Sequence, residues 1–484
     1  MAPPARASLV CAVLAYATLA AAGCWPADDE SEQGADAEGS RPNVVVVLTD
    51  DQDVASLAVM PEVERLIAAE GVEFTNAYAT TPECCPSRAS LLTGQYTHNH
   101  GVLSAKPPQG GYGAFDGSRA LPLWMQDAGY RTAFVGKYLN GYGSPGQGND
   151  PAEVPEGWDD WTALTNGTEH EMYDYELNRD GVLASYGERP RDYLTDVLSE
   201  RAAALVREAA PAERPFMLIA APLAPHGEGS LEGTGAARDP RPAPRHLGAF
   251  DGPLPLEPAA DRVDPSQLPA ALRSRAAKTA AKLAGGEGEA IARSRLESLL
   301  AVDEMVADLV GELERAGELA ETVFVFTSDN GFLLGEHGLL GKELPYEPAA
   351  RVPLLVRGPG FPAGETSDAL VANIDIAPTL AELGGAEPKL EVDGSSLLDA
   401  AGGGGDPERA IVLEYLTGPR AYRAIRTGDS LYARFAEGGE LLFDLASDPA
   451  ENHNLARDPE RAELRAELAE RLAELARCAG TSCR

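Results

Sequence analysis

A chain of 484 residues is too long for one small core and too short for many domains, so one large domain with a smaller companion is expected. Its 44% hydrophobic content is ordinary for a globular protein. With 76 acidic against 40 basic residues the formal net charge is −36, which excludes the basic footprint of a nucleic-acid binder and repels polyanions at long range.

The first 24 residues read as a secretory segment. Arg6 gives a weak positive start, residues 9–22 are apolar but short for a membrane span, and small residues precede Cys24. Small residues before a cysteine also suit lipidation, so Cys24 is a candidate lipid anchor, the alternative being a plain cleaved signal. Residues 25–40 (WPADDESEQGADAEGS) are acidic and small, the composition of a disordered tether. Residues 43–48 (NVVVVL) form an apolar, β-branched run expected to be a strand buried on both faces, ending at Asp50-Asp51. Met60 to Glu70 has helical spacing. Residues 121–128 read as a helix, and 132–135 as a strand leading to Lys137. Residues 193–209 read as a helix, 216–221 as a strand leading to His226, and the Pro-, Gly- and Arg-rich 227–265 as a surface insertion. A long amphipathic helix is expected from Arg293 to Ala316. The strand 322–327 (TVFVFT) ends at Asp329-Asn330, 354–356 reads as a short strand, and 374–383 as a helix.

This alternation predicts an α/β sandwich around a largely parallel sheet over residues 41–400. The glycines at 402–405 mark a boundary, and closely spaced short strands predict an antiparallel sheet plus a closing helix over 401–484. Cys478 and Cys483 are able to close a small loop in an oxidising compartment. Cys84 and Cys85 are adjacent and need another explanation.

Ligands of open α/β sheets bind at the carboxyl ends of strands, and four such ends carry polar clusters: Asp50-Asp51, Lys137, His226 and Asp329-Asn330. Three carboxylates and an amide carbonyl are hard oxygen ligands suited to calcium or magnesium. With a cation there, Arg88, Lys137, His226 and Lys342 are able to complete a site for a tetrahedral oxyanion. Without one, the carboxylates repel it.

The segment PECCPSRASLLTG (82–94) resembles the signature of the formylglycine-dependent sulfatases, C-x-P-S-R followed by A-S-L-L-T-G. The resemblance extends from about residue 41 to about residue 457, through RPNVVVVLTDDQD, GKYLNGY, APHGE, FTSDNGFLLGEHG and GLLGKELPYEPAARVPLLVRGPG. It implies an alkaline-phosphatase-like fold and hydrolysis of sulfate esters. It implies that Cys84 is oxidised to formylglycine by a maturation enzyme, and that Asp50, Asp51, Asp329 and Asn330 hold one calcium ion together with the modified residue 84. Lys137, His226 and Lys342 match the family's active-site positions, and Arg88 is expected to steady the loop of residue 84.

Many arylsulfatases carry a histidine where this chain has Leu139. The K-Y-L-N-x-Y form is similar instead to glucosamine-6-sulfatases and extracellular heparan sulfatases, which implies a sulfated carbohydrate as substrate. The leaving-group acid stays open between His226 and Lys342, with His98, His100 and His337 as further candidates. Specificity is expected in loops 100–118, 143–175 and 227–265. Trp124, Trp158 and Trp161 are candidates for sugar stacking, with Trp124 better suited to the core. Two rival readings are a phosphonate monoester or phosphodiester hydrolase of the same superfamily, and a non-catalytic, surface-tethered glycan-binding lipoprotein.

Overall fold

Four consecutive valines give the strand Asn43–Thr49 (β1) no polar face, so both of its faces must be covered. In the computed structural model they are: Val44 and Val46 pack into one layer, Val45 and Val47 into the other. The structure describes residues 41–210, 212, 214–229, 239–255 and 266–484. The secretory segment, the tether, Cys24 and parts of the 227–265 insertion lie outside those residues.

The large sheet also contains Gly71–Tyr78 (β2), Arg131–Gly136 (β3), Asp160–Thr165 (β4), Glu176–Arg179 (β5), Val182–Ser185 (β6), Phe216–Ala221 (β7), Thr322–Ser328 (β8), Leu354–Arg357 (β9) and Glu365–Ala372 (β10). Its order is β10-β2-β9-β8-β1-β7-β3-β4-β5-β6. The centre, from β8 through β1, β7 and β3 to β4, is parallel, with Val45 opposite both Phe324 and Leu218. β9 runs antiparallel to β8 and β2, and β5 and β6 close the far edge as antiparallel strands.

Helices Cys84–Thr93 (α1), Leu121–Asp127 (α2) and Ile376–Gly384 (α6) supply residues to one apolar layer. Leu194–Ala209 (α3) and Glu287–Ala316 (α5) supply the other. Helix α5 begins at Glu287, ahead of the expected Arg293, and is preceded by a helix absent from the sequence reading, Ala270–Ala284 (α4). The helical stretch expected from Met60 includes a π-helical turn at Glu64–Ala68.

The C-terminal strands Ile411–Tyr415 (β11), Tyr422–Arg426 (β12), Ser430–Phe435 (β13) and Glu440–Asp444 (β14) form an antiparallel sheet in sequence order, and the helix Ala462–Leu475 (α7) packs against β12 and β13. Its apolar cluster is shared with Tyr78, Tyr96 and Tyr346 of the large sheet's surroundings. Cys478 and Cys483 are disulfide-bonded. Trp124, Trp158 and Trp161 are all in the core, Trp161 within an aromatic group containing Phe134, Tyr138 and Tyr142. The stacking role considered for Trp158 and Trp161 is thereby corrected: their rings fill the interior. Among the described residues no helix is long and apolar enough to cross a membrane.

Candidate active site

Because β1, β3, β7 and β8 run parallel, the polar residues that follow them emerge at one sheet edge. The ends of β1 and β8 are stitched together there. The Asp329 amide donates to the Thr49 carbonyl at 3.1 Å, the Gln52 amide to Ser328 Oγ at 2.9 Å, and the Asp51 amide to Asp329 Oδ1 at 3.1 Å. Asp51 has a φ of 68°, which turns the chain sharply just where its carboxylate is needed. Buried Arg295 of α5 donates to the carbonyls of Asp51 and Pro225, so one side chain sets the positions of two of these loops.

Cys84 is the first residue of α1, a helix whose every residue is buried. Its Sγ lies 3.2 Å from Asp50 Oδ1, 4.0 Å from Asp51 Oδ1 and 2.5 Å from Lys342 Nζ. One turn on, Arg88 donates from Nε to Asp329 Oδ2 at 2.8 Å, ion-pairs with Asp50 through Nη2 at 3.3 Å and donates from Nη1 to the Lys137 carbonyl. Lys137 is fully buried and ion-paired with Asp50. Lys342 is ion-paired with Asp51. His226 Nε2 stands 3.7 Å from Asp51 Oδ2, and its Nδ1 bonds the Gly227 carbonyl at 2.5 Å. Asn330 Nδ2 donates to Asp51 Oδ1 at 2.7 Å.

The nine residues named from the sequence for this site are thus brought to one place. Ligand atoms of Asp50, Asp51, Cys84 and His226 all lie within 4.8 Å of one another. Asn330 Oδ1 is buried without a hydrogen-bond partner. Three carboxylates and an orphaned amide oxygen fit a hard divalent cation.

Electrostatics follow from the burial. Burial alone raises the Asp50 and Asp51 carboxyls, but Lys137 for the first and Lys342 for the second, with His226, reverse this and hold both below the usual range. Asp329 is pushed up to about 6 by burial and by Asp50. Burial and Asp50 push the Cys84 thiol well up. Burial opposes the charge on Lys342, yet Asp51 and Cys84 hold its pKa well above the ordinary value. Burial, aided by Lys137 and Lys342 against the two aspartates, brings His226 down to about 4.

The other histidines named from the sequence lie elsewhere. His98 bonds Glu414 at 2.5 Å and the Cys478 carbonyl at 3.1 Å. His100 bonds Ser90 Oγ at 3.0 Å, and His337 stacks on Tyr346. The sequence reading expected specificity in the loop 143–175 without singling out His170, whose buried ring lies 4.7 Å from that of His226. It sits in an irregular connection after β4 rather than at a strand end, so no periodicity or motif marked it.

The family model for Sulfatase matches residues 42–386, and that for N-sulphoglucosamine sulphohydrolase, C-terminal, matches residues 335–478. Human N-acetylglucosamine-6-sulfatase is 33% identical over 494 residues, covering 92% of this chain and 86% of that protein. The extracellular sulfatase SULF-1 homolog of Drosophila melanogaster is 35% identical over 369 residues, 74% of this chain. The chain spans 31% of that relative's length, and about half, 49%, of the corresponding Caenorhabditis elegans protein. Among solved structures, one in complex with its substrate D-glucosamine-2-N,6-O-disulfate is 28% identical with a TM-score of 0.74, covering 90% of this chain and 97% of its own. The phosphonate monoester hydrolase of Agrobacterium radiobacter shares the fold, with a TM-score of 0.65 at 22% identity over 90% of this chain and 95% of its own.

Proposed function

The chain belongs to the sulfatase family, and from that membership we propose that it hydrolyses sulfate esters of sugars, with residue 84 as nucleophile once its thiol has become formylglycine. The observation that carries this reading is the setting of Cys84. It stands at the start of a buried helix, between Asp50, Asp51 and Lys342 and near Lys137 and His226. As a thiol it is a poor nucleophile there, because burial and Asp50 disfavour the thiolate. As formylglycine, residue 84 supplies a hydrated aldehyde, with one hydroxyl to attack sulfur and a second to release the sulfate.

Asp50, Asp51, Asp329 and Asn330 would hold calcium, which supplies the positive charge that lets an anion enter among carboxylates. Lys137 and Lys342 are the side chains that bind the oxygens of the sulfate. Arg88, engaged with Asp50, Asp329 and the Lys137 carbonyl, keeps the nucleophile's helix in register with both strand ends. His226 has Nδ1–H committed to a carbonyl, which leaves Nε2 for the leaving oxygen, and Nε2 gives up a proton there only as the imidazolium, the form that the negative charge of a bound sulfate favours. Lys342, held strongly protonated against Asp51 and Cys84, suits charge stabilisation better than proton transfer.

The relatives that act on sulfated glucosamine, and the chain's KYLN segment, favour a sulfated amino sugar as substrate. Extracellular relatives and the Cys478–Cys483 disulfide favour an exported protein, with residues 1–24 as its signal and Cys24 as a lipid anchor. Maturation requires a formylglycine-generating enzyme as partner.

Co-expression with such an enzyme is expected to give a residue-84 peptide with the mass of the aldehyde, and a protein that hydrolyses an aryl sulfate and N-acetylglucosamine 6-sulfate. A Cys84→Ala variant as active as the wild type would overturn the proposal. Greater activity on a phosphonate monoester than on any sulfate ester would move it to the sister activity.

A further inference from the structure

Beside His226 of the proposed active site lie two buried polar side chains that the proposed reaction leaves unused. Asn140 follows β3, three residues beyond Lys137, and His170 lies in the connection from β4 to β5. They are 3% and 2% exposed. The ring of His170 covers that of His226 at 4.7 Å with a 30° tilt. The connection is pinned: the Met172 amide donates to Glu228 Oε1 at 2.8 Å, the Gly229 amide to the His170 carbonyl at 3.1 Å, and Arg241 holds the Glu228 carboxylate.

The two side chains satisfy each other poorly. Asn140 Nδ2 meets His170 Nε2 only at 3.5 Å, the outer limit of a hydrogen bond, and Asn140 Oδ1 is buried with no partner. Native interiors rarely tolerate such atoms unless a ligand or water completes them.

We infer that Asn140 and His170 form a neutral hydrogen-bonding subsite for a hydroxyl on the alcohol side of the ester, a reading that rests on the sulfatase assignment above. Charge separates this corner from the rest of the pocket. Lys137 and Lys342 present cations suited to an anionic sulfate. Asn140 carries no charge, and burial together with Lys137 keeps the His170 ring unprotonated. A neutral amide beside a neutral imidazole offers one acceptor and one donor, the complement of a hydroxyl, which gives one hydrogen bond and takes another. Its place against His226, the proposed donor to the leaving oxygen, puts it on the alcohol side of the scissile bond.

The test compares kcat/KM for N-acetylglucosamine 6-sulfate with its 3-deoxy and 4-deoxy analogues, using wild type, Asn140→Ala, His170→Ala and His170→Gln, each checked for formylglycine content and thermal midpoint. The wild type is expected to reject one of the analogues by ~10-fold or more, because removing a hydroxyl leaves buried polar groups unpaired. That ratio should fall towards one in Asn140→Ala and His170→Ala and be partly restored in His170→Gln, which keeps a donor. Where an alanine variant fails to fold, Asn140→Ser and His170→Gln carry the comparison. A wild type that does not discriminate, or variants in which parent and analogue fall by the same factor, would overturn the subsite while leaving the sulfatase reading intact. A matured wild type inactive on every sulfate ester would instead remove the reading beneath it.

Discussion

The ammonium of Lys342 lies 2.5 Å from Sγ of Cys84 and also binds a carboxylate oxygen of Asp51, so one cation bridges the two side chains. Cys84 and Asp51 are buried and Lys342 is half-buried beside them, where Coulomb interactions are stronger than in open water. Replacing Lys342 with Ala removes a cation 2.5 Å from the residue-84 side chain. The kcat/KM of matured enzyme should fall by ~100-fold or more, the scale seen when one preorganised oxyanion partner is deleted. Steady-state kinetics on an aryl sulfate, with residue-84 modification matched by mass spectrometry, checks this; a change under threefold would contradict it.

Calcium should raise the thermal midpoint of the wild-type protein, and chelation should reverse the rise. A ligand at a hundredfold excess over its Kd stabilises the native state by ~2.7 kcal/mol. Asp51→Asn weakens the oxygen set and should reduce or abolish the calcium-dependent shift in differential scanning fluorimetry. A shift of full size in that variant would rule out Asp51 as a ligand.

Gly136 precedes Lys137 with a φ of 122°, and a Cβ there would lie 2.0 Å from the Ala221 carbonyl oxygen. That carbonyl also accepts from the Lys137 amide at 2.9 Å. Gly136→Ala must therefore separate β3 from β7 at the point where Lys137 enters the site. A loss of ~3 kcal/mol in chemical denaturation is expected, with a fall in activity in the fraction that stays folded. Wild-type stability in this variant would mean the two strands yield there without cost.

His98 gives a pH signature far from the nucleophile. Burial lowers its pKa, but the hydrogen bond to Glu414 and that group's charge outweigh burial and raise it above 6.5. The histidine's contribution to stability is then fully present below the unfolded value of 6.5 and is lost as pH rises through the folded value. The stability gap between wild type and His98→Gln should be ~2 kcal/mol at pH 6 and shrink at alkaline pH. Urea denaturation across that range reads it out; a gap independent of pH would show that the ion pair contributes nothing.

Legibility in the sequence followed burial. β1, β7 and β8 announced themselves because both faces are covered, which leaves unbroken apolar runs. β2 did not, because the adjacent half-buried Thr75 and Asn76 break both a continuous apolar run and a strict alternation, and the β5–β6 hairpin did not, because its edge strand is largely exposed. The helix carrying Cys84 was invisible for the opposite reason: all ten of its residues are buried, so no polar face marks a period. Asp50, Asp51, Lys137, His226 and Asp329 were legible because parallel strands deliver their following residues to one edge, whereas Arg88 and Lys342 were legible only through the motifs that contain them. His170 and Arg295 were not, because each reaches the site from an element whose sequence carries no sign of the destination. Trp158 and Trp161 misled because an aromatic ring reads alike whether it faces a sugar or a core.

The enclosure of Cys84 also fixes an order of events. The residue is 3% exposed, beside Lys342 and at the start of a helix whose every residue is buried. On the proposed chemistry, a second protein must grip this stretch of chain and oxidise one sulfur atom, and the finished molecule offers it no handle. Conversion therefore belongs to the interval between synthesis and folding. A chain that folds too quickly would be well formed and permanently inert, so the fraction of active molecules in a preparation records a race won or lost before the fold closed.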